Sequence, residues 1–367
     1  MTFVLFCILF AARGSAQDKL VFAVDIIRHG DRTPTIQLPG TSPALWPEGL
    51  GKLTALGTNQ EFSLGSRMRS LYTNAGLLGS NDLPGTLCVF STDKERTRAS
   101  AQIFLRGLLA ESNPPTPILT QIPINIEAAL SKPNLISAGQ LLIPNDRRDF
   151  PALLSQYVLH APEWLSTNII FQPQLDHWSR ALNSNIVNIH DLIIPADALY
   201  IHQLHHVPLP DGLSPDEVNT IIKAGRWAFV YQYQAEVGQI TGRPLLKKIA
   251  EYLNNASHEK ILRKTNPLKY VLFSAHDSTL LSEMSALRSP LTDGHVPPYA
   301  ALLHFALFET SRTNFYVQVT YHDDADHIVP NPTRSDASWS LKEIKSCADY
   351  SGSAIERGSS FPEFRPR

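Results

Sequence analysis

Three short stretches gather the side chains that could do chemistry: "RHGDRTP" at 28–34, "STDKERT" at 91–97 and "SAHDSTL" at 274–280. Together they supply Arg28, Arg32 and Arg96, the imidazoles of His29 and His276, and the carboxyl of Asp277. A guanidinium is a planar fork that grips paired oxygens, and several of them in one place repel one another unless an anion sits among them. A phosphoryl group is the natural occupant. The whole chain has no excess of positive charge to attract one, with 32 Lys plus Arg against 34 Asp plus Glu and a net charge of −2. That balance excludes a general nucleic-acid or anionic-membrane binder, so a cationic site has to be local.

Each stretch follows a short apolar run. "LVFAVDII" precedes the first, "TLCVFS" at 86–91 leads into the second, and "YVLFSA" at 270–275 leads into the third. Unbroken apolar runs of this length fit strands buried on both faces, the kind parallel sheets use. Helical patterns follow each run: residues 59–72, "ERTRASAQIFLRGLL" and "DSTLLSEMSAL". The alternation predicts an α/β fold, a central mostly parallel sheet with helices on both faces, whose ligands bind beyond the carboxyl ends of the strands. All six side chains then arrive at one edge.

The dipeptide His-Asp occurs at 190, 276 and 322, so by itself it carries little. Only the pair at 276 has a buried strand before it and an amphipathic helix after it. His190 lies within "SNIVNIHDLII" and His322 enters the acidic loop "HDDADH", which reads as structure and solvated surface.

These motifs resemble the histidine acid phosphatases, branch 2 of the histidine phosphatase superfamily. "RHGDRTP" is similar to the family's R-H-G-x-R-x-P signature and "SAHDSTL" to its downstream His-Asp element, while "WPEGLGKLTALG", "STDKERT" and "PPYAALLHFALFE" match further segments in the same order. The resemblance implies hydrolysis of phosphate monoesters over a broad substrate range and with an acid pH optimum, with His29 as nucleophile, Asp277 as general acid, and Arg28, Arg32, Arg96 and His276 holding the phosphate. It implies no metal and no organic cofactor. The late segment looks more like the animal-type acid phosphatases than the phytases, which would need a cationic cap for several phosphates. Phytase is the first alternative, and a silent phospho-ligand-binding relative the second. Family members are often dimers, an expectation that carries over, although no feature of this sequence locates an interface.

Residues 1–16, "MTFVLFCILFAARGSA", read as a secretory signal: an apolar stretch followed by small residues at cleavage spacing. This predicts a secreted or periplasmic protein without a membrane anchor. The α/β core is expected over 17–118 and 228–350, interrupted by an α-rich cap at 119–227 in which proline and asparagine are frequent and helical patches such as "FPALLSQYVLH" and "EVNTIIKAGRWAF" recur. Residues 351–367 form a tail.

Other features have quieter readings. Cys88 and Cys347 are expected to be unbridged, because free cysteine is commonly buried. Asp25, inside the first strand, calls for a structural partner, since a buried carboxylate rarely stands alone. "IHQLHH" at 201–206 has imidazoles but no acidic or cysteine pattern to complete a metal site. Trp46 serves either the substrate mouth or packing, and Asn255 begins a glycosylation sequon.

Overall fold

The computed structural model describes residues 18–79, 84–109, 122–126, 139–233, 235–264, 267–288, 295–323, 328–330 and 338–349. The expected signal segment 1–16, the tail 351–367 and residues 324–327 of the acidic loop lie outside the described residues. In chain order the strands are β1 (Lys19–Arg28), β2 (Leu87–Ser91), β3 (Ile124–Ile126), β4 (Tyr270–Ala275), β5 (Leu302–Ser311), β6 (Asn314–His322), β7 (Ile328–Pro330) and β8 (Ser338–Trp339). The helices are α1 (Ala55–Asn74), α2 (Glu95–Leu108), α3 (Gly139–Leu142), α4 (Phe150–Tyr157), α5 (Pro162–Ala181), α6 (Ile193–Leu204), α7 (Pro215–Gln232), α8 (Ala235–Ile261), α9 (Asp277–Ala286) and α10 (Leu341–Asp349).

One sheet organises them, in the order β3-β2-β4-β1-β5-β6-β7, with β8 also on β6. The α/β class read from the sequence is the one found. The "mostly parallel" part of that reading needs correction: β3, β2, β4 and β1 run parallel, but everything from β1 outward is antiparallel, so the sheet is mixed. The cause is local. Only Arg312 and Thr313 separate β5 from β6, and so short a link can join only antiparallel neighbours.

The register sets the three motif-bearing strand ends level. Arg28 lies opposite Ala275 across β1 and β4, and Ser91 lies opposite Ser274 across β2 and β4. The residue that follows each end therefore emerges at the same edge. Alternation along β1 divides its side chains between two cores: Ala23 and Ile27 pack with Leu272 against Leu64, Met68 and Phe104 of α1 and α2. Val24 and Ile26 face the other way, with Phe273 of β4, into a cluster that contains Leu246 and Leu253 of α8 and Leu280 of α9. Burial on both sides is why the strand reads as an unbroken apolar run.

The second cluster also runs into the helices between β3 and α8. Trp164, Phe171 and Trp178 of α5, Leu199 of α6 and Ile221 of α7 belong to it. Those helices have no separate core. The span 119–227, expected as an α-rich cap, supplies α3 to α6 and most of α7, and it also supplies β3, which joins the sheet beside β2. Helix α7 starts firmly: Pro215 occupies its first turn, and Ser214 and Glu217 close a reciprocal capping box. Cys88 and Cys347 are free. Among the described residues no helix is long and apolar enough to cross a membrane.

Candidate active site

At the level edge, β1 delivers Arg28 and then His29, both nearly fully buried, with Arg32 close behind. The backbone N–H of His29 donates to Ala275 O of β4, and that of Arg28 to Ala301 O just before β5, so the segment is held between its neighbours as it leaves the sheet. Gly30 must be glycine, because a Cβ there would collide with the Gly57 carbonyl in the first turn of α1. The loop at 46–54 braces Arg32: Thr33 N donates to Lys52 O at 2.9 Å and Gly51 N to Pro34 O at 2.8 Å. Gly49 and Gly51 make that loop with φ values of +86° and +69°, a left-handed conformation that other residues seldom adopt.

His29 Nδ1 lies 2.8 Å from the carbonyl of Gly30. A carbonyl can only accept, so Nδ1 carries the proton and Nε2 keeps its lone pair. The ring stands 5.5 Å from that of His276, inclined at 76°. His276 ends β4 and caps α9, with Nε2 at 3.1 Å from the Thr92 hydroxyl, which lies 2.7 Å from the hydroxyl of Thr97. Asp277 is engaged at both oxygens: Arg28 Nη2 lies 2.8 Å from Oδ2, and Ser278 N donates to Oδ1 at 2.8 Å. It therefore steadies the start of α9 as well as facing the cleft.

All six residues singled out in the sequence line one cleft of about 310 Å³. Their charges shape one another. Burial, then Arg96 and Arg28, hold His29 well below the usual imidazole range. Burial and Arg96 likewise push His276 down to about 3. Burial works to raise the Asp277 pKa, yet Arg28, His276 and Arg32 outweigh it and keep the carboxyl below its ordinary value. Arg96 is lowered to about 10, by burial and by Arg32. The site thus holds neutral imidazoles, a carboxylate and crowded guanidiniums. The buried Nε atoms of Arg28, Arg32 and Arg96 have no hydrogen-bond partner. Such groups are costly unless something completes them, and a tetrahedral oxyanion has the charge and the acceptors to do so.

Several residues of the site were not singled out in the sequence. Tyr299 lies under the Arg28 guanidinium at 4.1 Å from its ring centre, and Arg28 Nη1 donates to Pro297 O at 2.5 Å. Asp197 of α6 accepts from Arg32 Nη2 at 2.9 Å. Tyr200 of α6 and Arg226 and Phe229 of α7 form the opposite wall. Thr92 lay within a quoted motif, but only its contact with His276 reveals its use. Glu61 of α1, buried beside Gly30 and Ser100, is pushed well above the carboxylate range by burial.

The remaining candidates resolve into packing. Asp31 is buried and accepts from Thr54 Oγ1 at 2.5 Å and His205 Nε2 at 2.8 Å. Trp46 is buried edge-on between the rings of His202 and His205, so its place is in packing. Among the described residues no group of three or more His, Cys, Asp or Glu could hold a metal ion. Asp25 has the structural partners it called for: Tyr72, Tyr270 and His304.

Comparison with known proteins gives a consistent result. The model of the histidine phosphatase superfamily (branch 2) matches residues 19–322. The testicular acid phosphatase of Homo sapiens is 31% identical over 342 residues, 86% of this chain and 75% of that protein. The lysosomal acid phosphatase of Homo sapiens is 27% identical over 326 residues, 84% of this chain and 72% of that one. Among solved structures, a Hafnia alvei phytase in complex with myo-inositol hexakis sulphate superposes with a TM-score of 0.65 at 17% identity, covering 91% of this chain and 97% of that chain. At that identity the likeness is one of fold.

Proposed function

Because this chain belongs to branch 2 of the histidine phosphatase superfamily, we propose that it is an exported acid phosphatase that hydrolyses phosphate monoesters through a phosphohistidine on His29. The observation that carries the reading is His29 itself. Its lone pair is fixed on Nε2 by the bond from Nδ1 to Gly30 O, amid guanidiniums whose buried Nε atoms are unpaired.

In the first step Nε2 attacks phosphorus in line. A P–N bond forms as the P–O bond to the leaving group breaks, and Asp277 passes its proton to the departing oxygen. In the second step water attacks the phosphohistidine and gives a proton to the Asp277 carboxylate. The P–N electron pair returns to Nε2 and inorganic phosphate leaves. Arg28, Arg32 and Arg96 oppose the charge that spreads over the equatorial oxygens, and this clamping is the main catalytic contribution. His276 carries its proton on Nε2, where it donates to the Thr92 hydroxyl until a bound phosphate oxygen takes over that donor.

The proton cycle sets the pH dependence. Asp277 is ionised in the free enzyme, but a bound phosphate repels the carboxylate and competes for Arg28, so its pKa rises in the complex. His29 stays neutral well into acid because its pKa is depressed. The active form, neutral His29 with protonated Asp277, is populated under mildly acidic conditions. Asp277→Asn should lose about 10²–10⁴-fold on alkyl phosphates, and less on p-nitrophenyl phosphate, whose leaving group needs little protonation.

Phytase activity is the second reading. Among the described residues, the wall that α6 and α7 turn to the cleft offers Arg226 but also the carboxylate of Asp197. That favours small monoesters over a densely phosphorylated ring. Assays with p-nitrophenyl phosphate and with phytate, at pH 5 and pH 8 and with chelator, test substrate class, pH preference and metal independence together. Base quenching with a ³²P-labelled ester should trap acid-labile label on the peptide that contains His29. Label found elsewhere, or turnover retained by His29→Ala, would overturn the assignment.

A further inference from the structure

Arg226 is a cation that the proposed mechanism does not use. It projects from α7 into the cleft shared by Arg28, His29 and Asp277. Its guanidinium lies over the ring of Tyr200 at 4.5 Å from the centre. No carboxylate among the described residues pairs with it: Asp197 is taken by Arg32 and Asp277 by Arg28. A guanidinium has five N–H donors, and stacking on one face leaves them all directed outward in its own plane. Burial lowers its pKa, with Arg28 acting in the same direction, against Tyr200, Asp277 and Asp197, which raise it; this agrees with a partly desolvated cation. The charges it senses, after Tyr200, are Arg28, Asp277 and Asp197.

Asp277 marks the side from which the leaving oxygen is protonated. A cation that lines the same cleft as Asp277 and the phosphate clamp is therefore open to the group attached to phosphorus. Ile193, Ile194 and Phe229 line the same cleft, and of its carboxylates Asp197 is held by Arg32, Asp277 by Arg28, and Asp146 makes no ion pair with Arg226.

We propose that Arg226 is a specificity residue that selects phosphate monoesters whose leaving group carries a second anionic group, a carboxylate or a further phosphate, within a few bonds of the ester oxygen. The inference rests on the phosphatase reading and narrows its substrate class. Tyr200 fixes the plane of the fork, so that its edge is presented to the ligand in one orientation. Phosphorus is still gripped by Arg28, Arg32 and Arg96, and Arg226 reads what is attached to it.

Matched substrates test this with the full chain. Glycerol 2-phosphate and 2-phosphoglycerate differ by a hydroxymethyl against a carboxylate, and 3-hydroxypropyl phosphate and propane-1,3-diol bisphosphate by a hydroxyl against a phosphate. The wild type should favour the anionic member of at least one pair by about tenfold in kcat/KM, the value of one charge-assisted contact. Whichever pair shows the preference identifies the preferred anion. Arg226→Gln should erase that preference, chiefly through KM, while glycerol 2-phosphate turnover stays within about twofold, and Arg226→Lys should keep part of it. Equal loss on both members would make Arg226 part of the phosphoryl clamp or of the fold, and an unchanged preference would leave it without a role; either overturns the proposal. If the wild type hydrolysed none of the four esters, or His29→Ala hydrolysed them as well, the phosphatase reading itself would fail.

Discussion

Strand β1 carries two buried groups of ionisable side chains, one around Asp25 in mid-strand and one around His29 at its end, and they are completed in different ways. Asp25 accepts from Tyr72 at 2.7 Å and Tyr270 at 2.8 Å through Oδ2, and His304 Nδ1 lies 2.7 Å from Oδ1. His304 faces it directly across the β1–β5 pairing. Both carboxylate oxygens are thus occupied by groups of the protein itself. At the strand end, Arg28, Arg32 and Arg96 keep buried N–H groups without acceptors. A buried polar cluster closed by its own partners rigidifies a fold, and one left open binds something. Burial and charge alone do not separate the two; unpaired donors do.

The largest expected effect breaks the open cluster. His29→Ala should lower kcat/KM by about 10⁵-fold, the scale seen when a nucleophile is removed from an enzyme that works as a unit. Thermal stability should fall little, since the neutral ring lines the open cleft and its hydrogen bond is the local one to the Gly30 carbonyl. A Tm well below that of the wild type would mean that the imidazole also holds the fold together, and the contrast with Asp25 would weaken.

The closed cluster should respond the opposite way. Asp25→Ala strips the acceptor from two tyrosines and a histidine, and breaking a buried, paired carboxylate costs about 3–5 kcal/mol. At roughly 1.3 °C per kcal/mol for a chain of 367 residues, Tm should drop by about 4–7 °C. Turnover per folded molecule at low temperature should stay within about twofold. Activity lost with Tm intact would put Asp25 in the chemistry.

The same contrast explains what could be read from the sequence. Arg28, His29, Arg32, Arg96, His276 and Asp277 were legible because each follows a buried apolar run, and a level parallel register carries such positions to one edge. Asp25 was legible as a structural charge because a carboxylate amid apolar neighbours has to find partners. Which partners was not legible: Tyr72, Tyr270 and His304 come from α1, β4 and β5, and nothing in their local sequence points at β1. The opposite wall of the cleft was equally hidden. Tyr200 and Arg226 sit on amphipathic helices where a tyrosine or arginine ordinarily marks a helix surface, and only the packing of α6 on α7 turns them inward. The imidazoles of "IHQLHH" stood out, yet the use of His205, a bond to Asp31, depends on a contact across 174 residues.

A third prediction sharpens the comparison through pH. The folded pKa of His276 is about 3, below its unfolded value of about 6.5. The unfolded chain therefore binds the extra proton between these values. This contribution to stability is fully present above about pH 6.5 and declines as pH falls toward 3. At pH 4.5 the loss from this one group should be about 3 kcal/mol. His276→Gln should accordingly show a shallower fall in Tm between pH 7 and pH 4.5 than the wild type. Parallel curves would mean that the ring is protonated in the folded state at acid pH and that the arginines around it do not set its charge.

The smallest effect asks how far the open cluster depends on partners that never touch a ligand. Thr92 is buried, with its hydroxyl between His276 Nε2 at 3.1 Å and Thr97 Oγ1 at 2.7 Å. Thr97 Oγ1 donates to Lys94 O at 2.9 Å, so the Thr92 proton goes to Thr97 and the Thr92 oxygen accepts from His276 Nε2–H, which that bond holds in place. Thr92→Val keeps the branched shape but removes the acceptor, so the ring can turn that donor away from the phosphate. Loss of a donor aimed at developing charge should lower kcat by about tenfold while KM changes little, because the contact matters most in the transition state. Tm should shift by no more than about 1–2 °C, the consequence of roughly 1 kcal/mol for a single lost hydrogen bond. A merely structural threonine would lower Tm and leave kcat per folded molecule alone. An unchanged kcat would mean that the fold of α9 about His276, where Thr279 Oγ1 accepts from the backbone N–H at 3.2 Å, suffices to orient the ring.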